Sequence, residues 1–185
     1  MKKALVFIAT ALIGVAAMAQ PKFAHVNLSE LIQLMPEADD ARAKLEASSL
    51  EAQETFQAMV EEYQAKYTTY SQKASTWTTA IRESKEKELM EIQQRIQDFD
   101  QSIQKELSEM QQMLMAPIQK KAMDTINALA KEGGYIYVFD KSTMLYIDEA
   151  QSTDLTPVAR KALSIPEGRT LETLQQEMAA RQQQQ

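Results

Sequence analysis

The residues able to do chemistry are few and poorly grouped. His25 is the only histidine and the chain has no cysteine, which excludes a site needing two imidazoles, a thiolate nucleophile or a thiolate metal centre. Glu83, Glu86, Glu88 and Glu91 follow one another closely enough to suggest a cation site, but Lys85 and Lys87 are interleaved with them. That arrangement predicts a solvated, charge-balanced helix face. Asp148 and Asp154 frame a segment that could hold a cation, although aspartate more often serves local turns and caps. The four glycines, Gly14, Gly133, Gly134 and Gly168, make no phosphate-cradling loop. His25 falls on a predicted strand, where a packed or hydrogen-bonded role is expected ahead of a ligand or pH-switch role. Nothing here asks for a cofactor or a metal, and no nucleophile and base pair emerges. The chemistry expected of this chain is binding.

The elements that would position a binding surface are long helices. Phe56, Val60, Tyr63, Tyr67, Tyr70, Ala74, Trp77 and Ile81 step 4, 3, 4, 3 without a break, which holds one seam on one side of a helix as in a coiled coil. From Glu37 to Glu132 there is no glycine and one proline. At ~1.5 Å per residue, the stretch from Glu37 to Trp77 spans ~60 Å, an arm rather than a core helix. Serine and threonine crowd between Ser71 and Thr79 and mark the tip where the arm turns back. Leu89, Ile92, Ile96, Phe99 and Ile103 then step 3, 4, 3, 4 on the returning helix. Beyond Ile103 the apolar steps drift from strict heptads, which relaxes the supercoil locally. Pro117 is expected to kink that helix unless the backbone adjusts around it. Gly133-Gly134 should end it, because glycine takes the left-handed conformation at little cost.

The flanks read as a small β body. Lys22 to Asn27 is a short strand, followed by Asn27 and Glu30 in the form of a capping box. Pro36 suits the first turn of the next helix. After the glycines, Tyr135 to Phe139 and Met144 to Ile147 are two aromatic and β-branched runs joined by a short polar link, which predicts a hairpin. Thr156-Pro157 looks like an N-cap with proline at the first helical position. The end of the chain is polar and closes in four glutamines, so 165–185 is expected to be a flexible tail.

The N-terminus has Lys2 and Lys3, an apolar stretch from Ala4 to Ala17, and Ala17-Met18-Ala19, the parts of a signal peptide cleaved after Ala19. The apolar stretch is short of the ~18 residues that a spanning helix needs. Cleavage leaves 18 basic side chains against 26 acidic ones, moving the formal charge from −6 to −8. That balance argues against attraction to nucleic acid or anionic lipid. Without cysteine there is no disulfide framework and no lipid-modified cysteine, so stability must come from side-chain burial and from association.

The order of elements resembles the Skp family, also called the OmpH family, of periplasmic chaperones for outer-membrane proteins. The resemblance rests on Phe23-Ala24-His25-Val26-Asn27-Leu28 with Leu31 following, and on the closing stretch. There Gly134-Tyr135 leads to Val138-Phe139-Asp140-Lys141-Ser142, then Leu145-Tyr146-Ile147-Asp148 and Asp154-Leu155-Thr156. It covers roughly Lys22 to Leu163. It implies a mainly α fold with a small β body, from which a long antiparallel coiled-coil hairpin projects. The implied divisions are a signal peptide at 1–19, a body from 20–36 and 117–164, an arm at 37–116 and the tail. The body would trimerise through Phe23, Val26, Leu28, Tyr135, Tyr137, Val138, Phe139, Leu145, Tyr146 and Ile147, and three arms would enclose a cavity.

The implied function is that of an ATP-independent periplasmic holdase, whose partners are unfolded outer-membrane β-barrel proteins and two further copies of itself. Known members are strongly basic, whereas this chain is acidic, so no lipopolysaccharide site is assigned. Met110, Met113 and Met115, close to Met90 and Met123, are either an adaptable client surface or side chains packed against the other arm or the body near Pro117. Tyr63, Tyr67, Tyr70 and Trp77 pose the same choice near the tip. The competing reading is an envelope scaffold whose arms bind one partner by coiled-coil pairing.

Overall fold

The computed structural model describes residues 21–183, so the predicted signal peptide and its cleavage point lie outside the described residues. The elements in order are β1 (Lys22–Val26), α1 (Leu28–Leu34), α2 (Pro36–Lys73), α3 (Thr79–Gly133), β2 (Tyr135–Asp140), β3 (Ser152–Asp154), α4 (Thr156–Ala162) and α5 (Leu171–Gln182). With 38 residues in α2 and 55 in α3, the rods are ~57 and ~80 Å long at ~1.5 Å per residue.

Local chemistry explains where each rod starts and stops. Asn27 Oδ1 accepts from the Glu30 amide at 3.1 Å and caps α1. The reciprocal half of the expected capping box is different: Glu30 accepts from the Asn27 side chain, while the Asn27 amide donates to Thr156 Oγ1 at 3.0 Å. Pro36 opens α2, where its missing N–H costs nothing. At the tip a single 3-10 turn, Ala74–Thr76, reverses the chain, and Thr78 caps α3 by accepting from the Ile81 amide. Pro117 lies inside α3, which runs on without a break to Gly133. Gly134 then takes φ +68, a left-handed turn that a side chain would strain. Gly133 has a second reason to lack a side chain: a Cβ there would lie 2.2 Å from the Tyr135 ring.

The three strands form one sheet in the order β2-β1-β3, and β1 is parallel to both neighbours. Lys22 faces Tyr135 and Val26 faces Asp140 on one side, while Phe23 faces Ser152 and His25 faces Asp154 on the other. The expected hairpin of Tyr135–Phe139 with Met144–Ile147 is therefore not formed. Asp140 accepts from the Ser142 amide at 3.1 Å and a 3-10 turn, Lys141–Thr143, follows, so the chain leaves the sheet instead of folding back. A second aspartate-built turn, with Asp148 accepting from Ala150 and Gln151 at 3.0 Å, brings it home as β3. Met144–Ile147 spans the gap as a loop that is exposed as far as Tyr146 and half-buried at Ile147.

The core sits where the arm meets the body. Ala24 and Val26 from the inner sheet face, Leu31, Leu34 and Met35 from α1, Ala38 and Ala41 from α2, and Ile118, Ala122 and Ile126 from α3 are buried together with Ala159 and Leu163 near α4. The C-terminal segment, expected as a flexible tail, joins this core. Ile165 and Leu174 are buried, Thr170 and Thr173 cap α5 reciprocally, and Arg169 holds Asp39 of α2 at 2.6 Å. Thr156, expected as an N-cap, is instead the first residue of α4: its amide donates to Asp154 at 2.8 Å, and its hydroxyl serves Asn27.

Candidate interaction surfaces

Two surfaces emerge, one at the body and one along the arm. On the outer face of the sheet Phe23 stacks on Tyr137 with ring centroids 6.3 Å apart, and Tyr137 stacks on Phe139 at 6.0 Å. Tyr137 remains 60% exposed, and beside it Leu145 is wholly exposed and Tyr146 81% exposed. Phe23, Phe139, Met144, Tyr146 and Ile147 wall an open concavity of about 220 Å³ on this face. Of the body residues singled out above, Val26, Leu28 and Val138 turn instead toward the chain's own core, and Tyr135 covers Gly133. The outer strand β2 also leaves one edge unpaired. An exposed, apolar edge strand is a pairing site for another chain unless something covers it.

His25 lies under this face and is 1% exposed. Its Nδ1 shares a hydrogen bond of 2.9 Å with Ser152 Oγ, while Nε2 stands 3.9 Å from Asp154 Oδ2 with no hydrogen-bond partner. The imidazole links β1 to β3, which have only three residues paired. A hydrogen-bonded structural role, as expected, is where the geometry places it.

Along the arm the seam is real but uneven. Leu89 and Ile92 are buried, and Phe56, Val60, Tyr63, Tyr70, Trp77, Ile96, Phe99 and Ile103 are half-buried. Tyr67 and Ile81 are not in it, being 53% and 45% exposed. For Tyr67 the reason is Lys66, which takes the inward place between Tyr63 and Tyr70 and bonds Glu88 across the hairpin. Tyr67 stacks on Tyr63 from the rim, centroids 6.1 Å apart, and Trp77 meets Tyr70 edge-on at 6.0 Å. Met115 is half-buried against the root core, as its packed alternative required, Met110 is half-buried, and Met113 is 70% exposed.

The carboxylates near the tip do more than solvate a face. Glu88 accepts from Lys66 of α2 and from Lys85 at 2.8 Å, Glu86 accepts from the Tyr70 hydroxyl, and Arg95 reaches Glu62 at 3.2 Å. Lys66 and then Lys85 hold the Glu88 carboxyl down to about 2, and Lys121 at the root lowers Glu37 in the same way. A carboxylate depressed on folding contributes stability that is fully present above its unfolded value, 4.5, and is lost as pH falls through the folded one. Pairing at the tip is therefore expected to hold at pH 5 and to weaken from there toward pH 2. Trp77, the only tryptophan, reports it: its emission should change across that window, and Glu88→Gln should flatten the change. Emission that is constant in wild type, or identical in the variant, would contradict this.

Sequence reasoning missed a further set of groups, which ties the C-terminal segment to the arm root. Arg160 of α4 pairs with Glu30 of α1 at 2.9 Å and donates to the Arg169 carbonyl, while Arg169 reaches Asp39 and lies 3.7 Å from Glu177. The only signals were the two isolated leucines of α5 and a threonine pair that caps it. Among the described residues no group of side chains is set to hold a metal, and no helix is long and apolar enough to cross a membrane.

The described residues thus form a long helical hairpin rooted in a small parallel sheet, with an uncovered aromatic face at its foot. A family model described as outer membrane protein (OmpH-like) matches residues 22–163, and the chain belongs to this family. It is 27% identical over 150 residues to the protein named Chaperone protein Skp from Yersinia enterocolitica, covering 79% of this chain and 88% of that one. With Chaperone protein Skp from Pectobacterium atrosepticum it shares 26% over 142 residues, or 75% of this chain and 82% of that one. The match ends at residue 163, before α5.

Proposed function

We propose that this protein is an ATP-independent periplasmic holdase, which keeps unfolded outer-membrane proteins from aggregating inside a cavity formed by the arms of a homotrimer. One observation carries the reading: the aromatic outer face of the sheet, with Leu145 and Tyr146 beside it, is left uncovered exactly where the arm is rooted. Covering it with sister copies buries that face and sets several arms side by side. Family membership and the two chaperone relatives support the same function.

An unfolded barrel protein offers alternating apolar residues and open strand edges, which pair with one another unless kept apart. Rods that offer many weak, interchangeable contacts hold such a chain without selecting one sequence. Purified protein is expected to run at three times its chain mass in solution and to suppress light scattering from a urea-diluted outer-membrane barrel at near-stoichiometric trimer. A monomer across a wide concentration range removes the cavity, and scattering that proceeds unchanged favours a scaffold binding one partner.

A further inference from the structure

The acidity of this chain is confined to one stretch of the hairpin. Pairs between Arg95 and Glu62 and between Lys121 and Glu37 fix which parts of α2 and α3 lie opposite each other, so 47–65 of α2 faces 91–109 of α3. These two segments hold nine carboxylates against Arg95 and Lys105, a net −7 out of the −8 carried by residues 20–185. The tip, 66–90, has five cations against three carboxylates, a net +2. No lysine or arginine stands between Lys44 and Lys66. Among the described residues Glu51, Glu54, Glu61, Asp98, Asp100 and Glu106 have no cation within 4.0 Å.

Most of the apolar seam along this stretch is partly open. Phe56, Phe99, Ile103 and Leu107 are half-buried, while Ile92 at its tip end is buried, as are Ile118 and Ala122 at the root. Unpaired like charges three or four residues apart, as Glu51 and Glu54 are, destabilise a helix. The amides of Gln57, Gln94 and Gln104 that donate to Glu61, Asp98 and Asp100 carry no charge to offset theirs. An extended chain lying along this band, ~28 Å long at ~1.5 Å per residue, meets several carboxylates at once. Each of them acts within the ~8 Å over which salt screens charge. We infer that the middle of the arm is a docking surface for unfolded polypeptide of net positive charge, whose apolar residues reach the open seam while its lysines and arginines pair with the band. This rests on the holdase reading and names the class of client it favours.

The test uses one urea-unfolded outer-membrane barrel in two forms: as it stands with net negative charge, and with enough Asp→Asn and Glu→Gln changes to make it net positive. Binding is followed by anisotropy of a dye on the barrel, and protection by light scattering. The positive form should bind roughly tenfold more tightly at low salt and lose that advantage as screening shortens to ~3 Å near 1 M. The variant E51Q/E54Q/E106Q removes three carboxylates that make no side-chain hydrogen bond or ion pair, so its circular dichroism should match wild type while its preference shrinks. Equal affinity for the two forms, a preference for the negative form, or a preference indifferent to salt overturns the inference and leaves the holdase reading standing. If neither form is kept from aggregating, the holdase reading itself fails.

Discussion

Ending the chain after Leu163 is expected to lower the stability of the body by about 3–6 kcal/mol, although the truncated protein keeps the whole OmpH-like match. The figure follows from two buried side chains, Ile165 and Leu174, each worth about 1.5–3 kcal/mol of transfer from water, as an upper estimate. Truncation also leaves Asp39 with Arg42 alone, since Arg169, which holds it at 2.6 Å, is lost, and removes the carbonyl that receives Arg160. Hydrogen exchange localises the effect: amides of α1 and of the first turns of α2 should lose protection, while those near Trp77 should not. Leu174→Ala alone should lose about 2–5 kcal/mol. A truncated chain with an unchanged denaturant midpoint would mean that the C-terminal segment lies on the body without supporting it.

The second large effect concerns assembly. Tyr137→Ser combined with Leu145→Asp should turn the proposed trimer into monomer at micromolar concentration while leaving the single chain folded, because both side chains are exposed there. Central aromatic anchors of an interface are each worth about 2–4 kcal/mol, so association should weaken by a hundredfold or more, about 1.4 kcal/mol being one factor of ten. Sedimentation gives the mass and circular dichroism gives the helix content. Unaltered mass would show that some other surface holds the copies together; lost helix content would show that the residues serve the chain's own fold.

Both predictions touch places where pattern reading was weakest, and the reasons are physical. Helices announce themselves locally, so the seam from Phe56 onward, the tip at Ser71–Thr79 and the stop at Gly134 were all legible. Lys66 displaced Tyr67 from the seam because a cation paired across the hairpin with Glu88 can lie inward on its alkyl stem, and no count of apolar spacing registers that. Strand pairing is not local. Met144–Ile147 has the composition of a strand and lies in a loop, while Ser152–Asp154 has only Thr153 to suggest one and pairs with β1. What places β3 is the His25 imidazole and the backbone of the first strand, residues more than a hundred positions away. α5 was hidden by its polarity, since one buried leucine and one buried isoleucine are enough to dock it.

The middle position of β1 has a consequence for how the molecule comes into being. The first strand made has both neighbours near the far end of the chain, His25 and Ser152 being 127 positions apart, so it waits unpaired until nearly all the rest exists. Contacts of such separation are slow to form because a large loop must close first. Zippering of the two rods shortens that search by bringing the start of α2 and the end of α3 together, which makes the hairpin a folding template as well as a finished part. Until the glycines and β2 arrive, a newly made copy exposes the kind of orphan strand for which holding proteins exist.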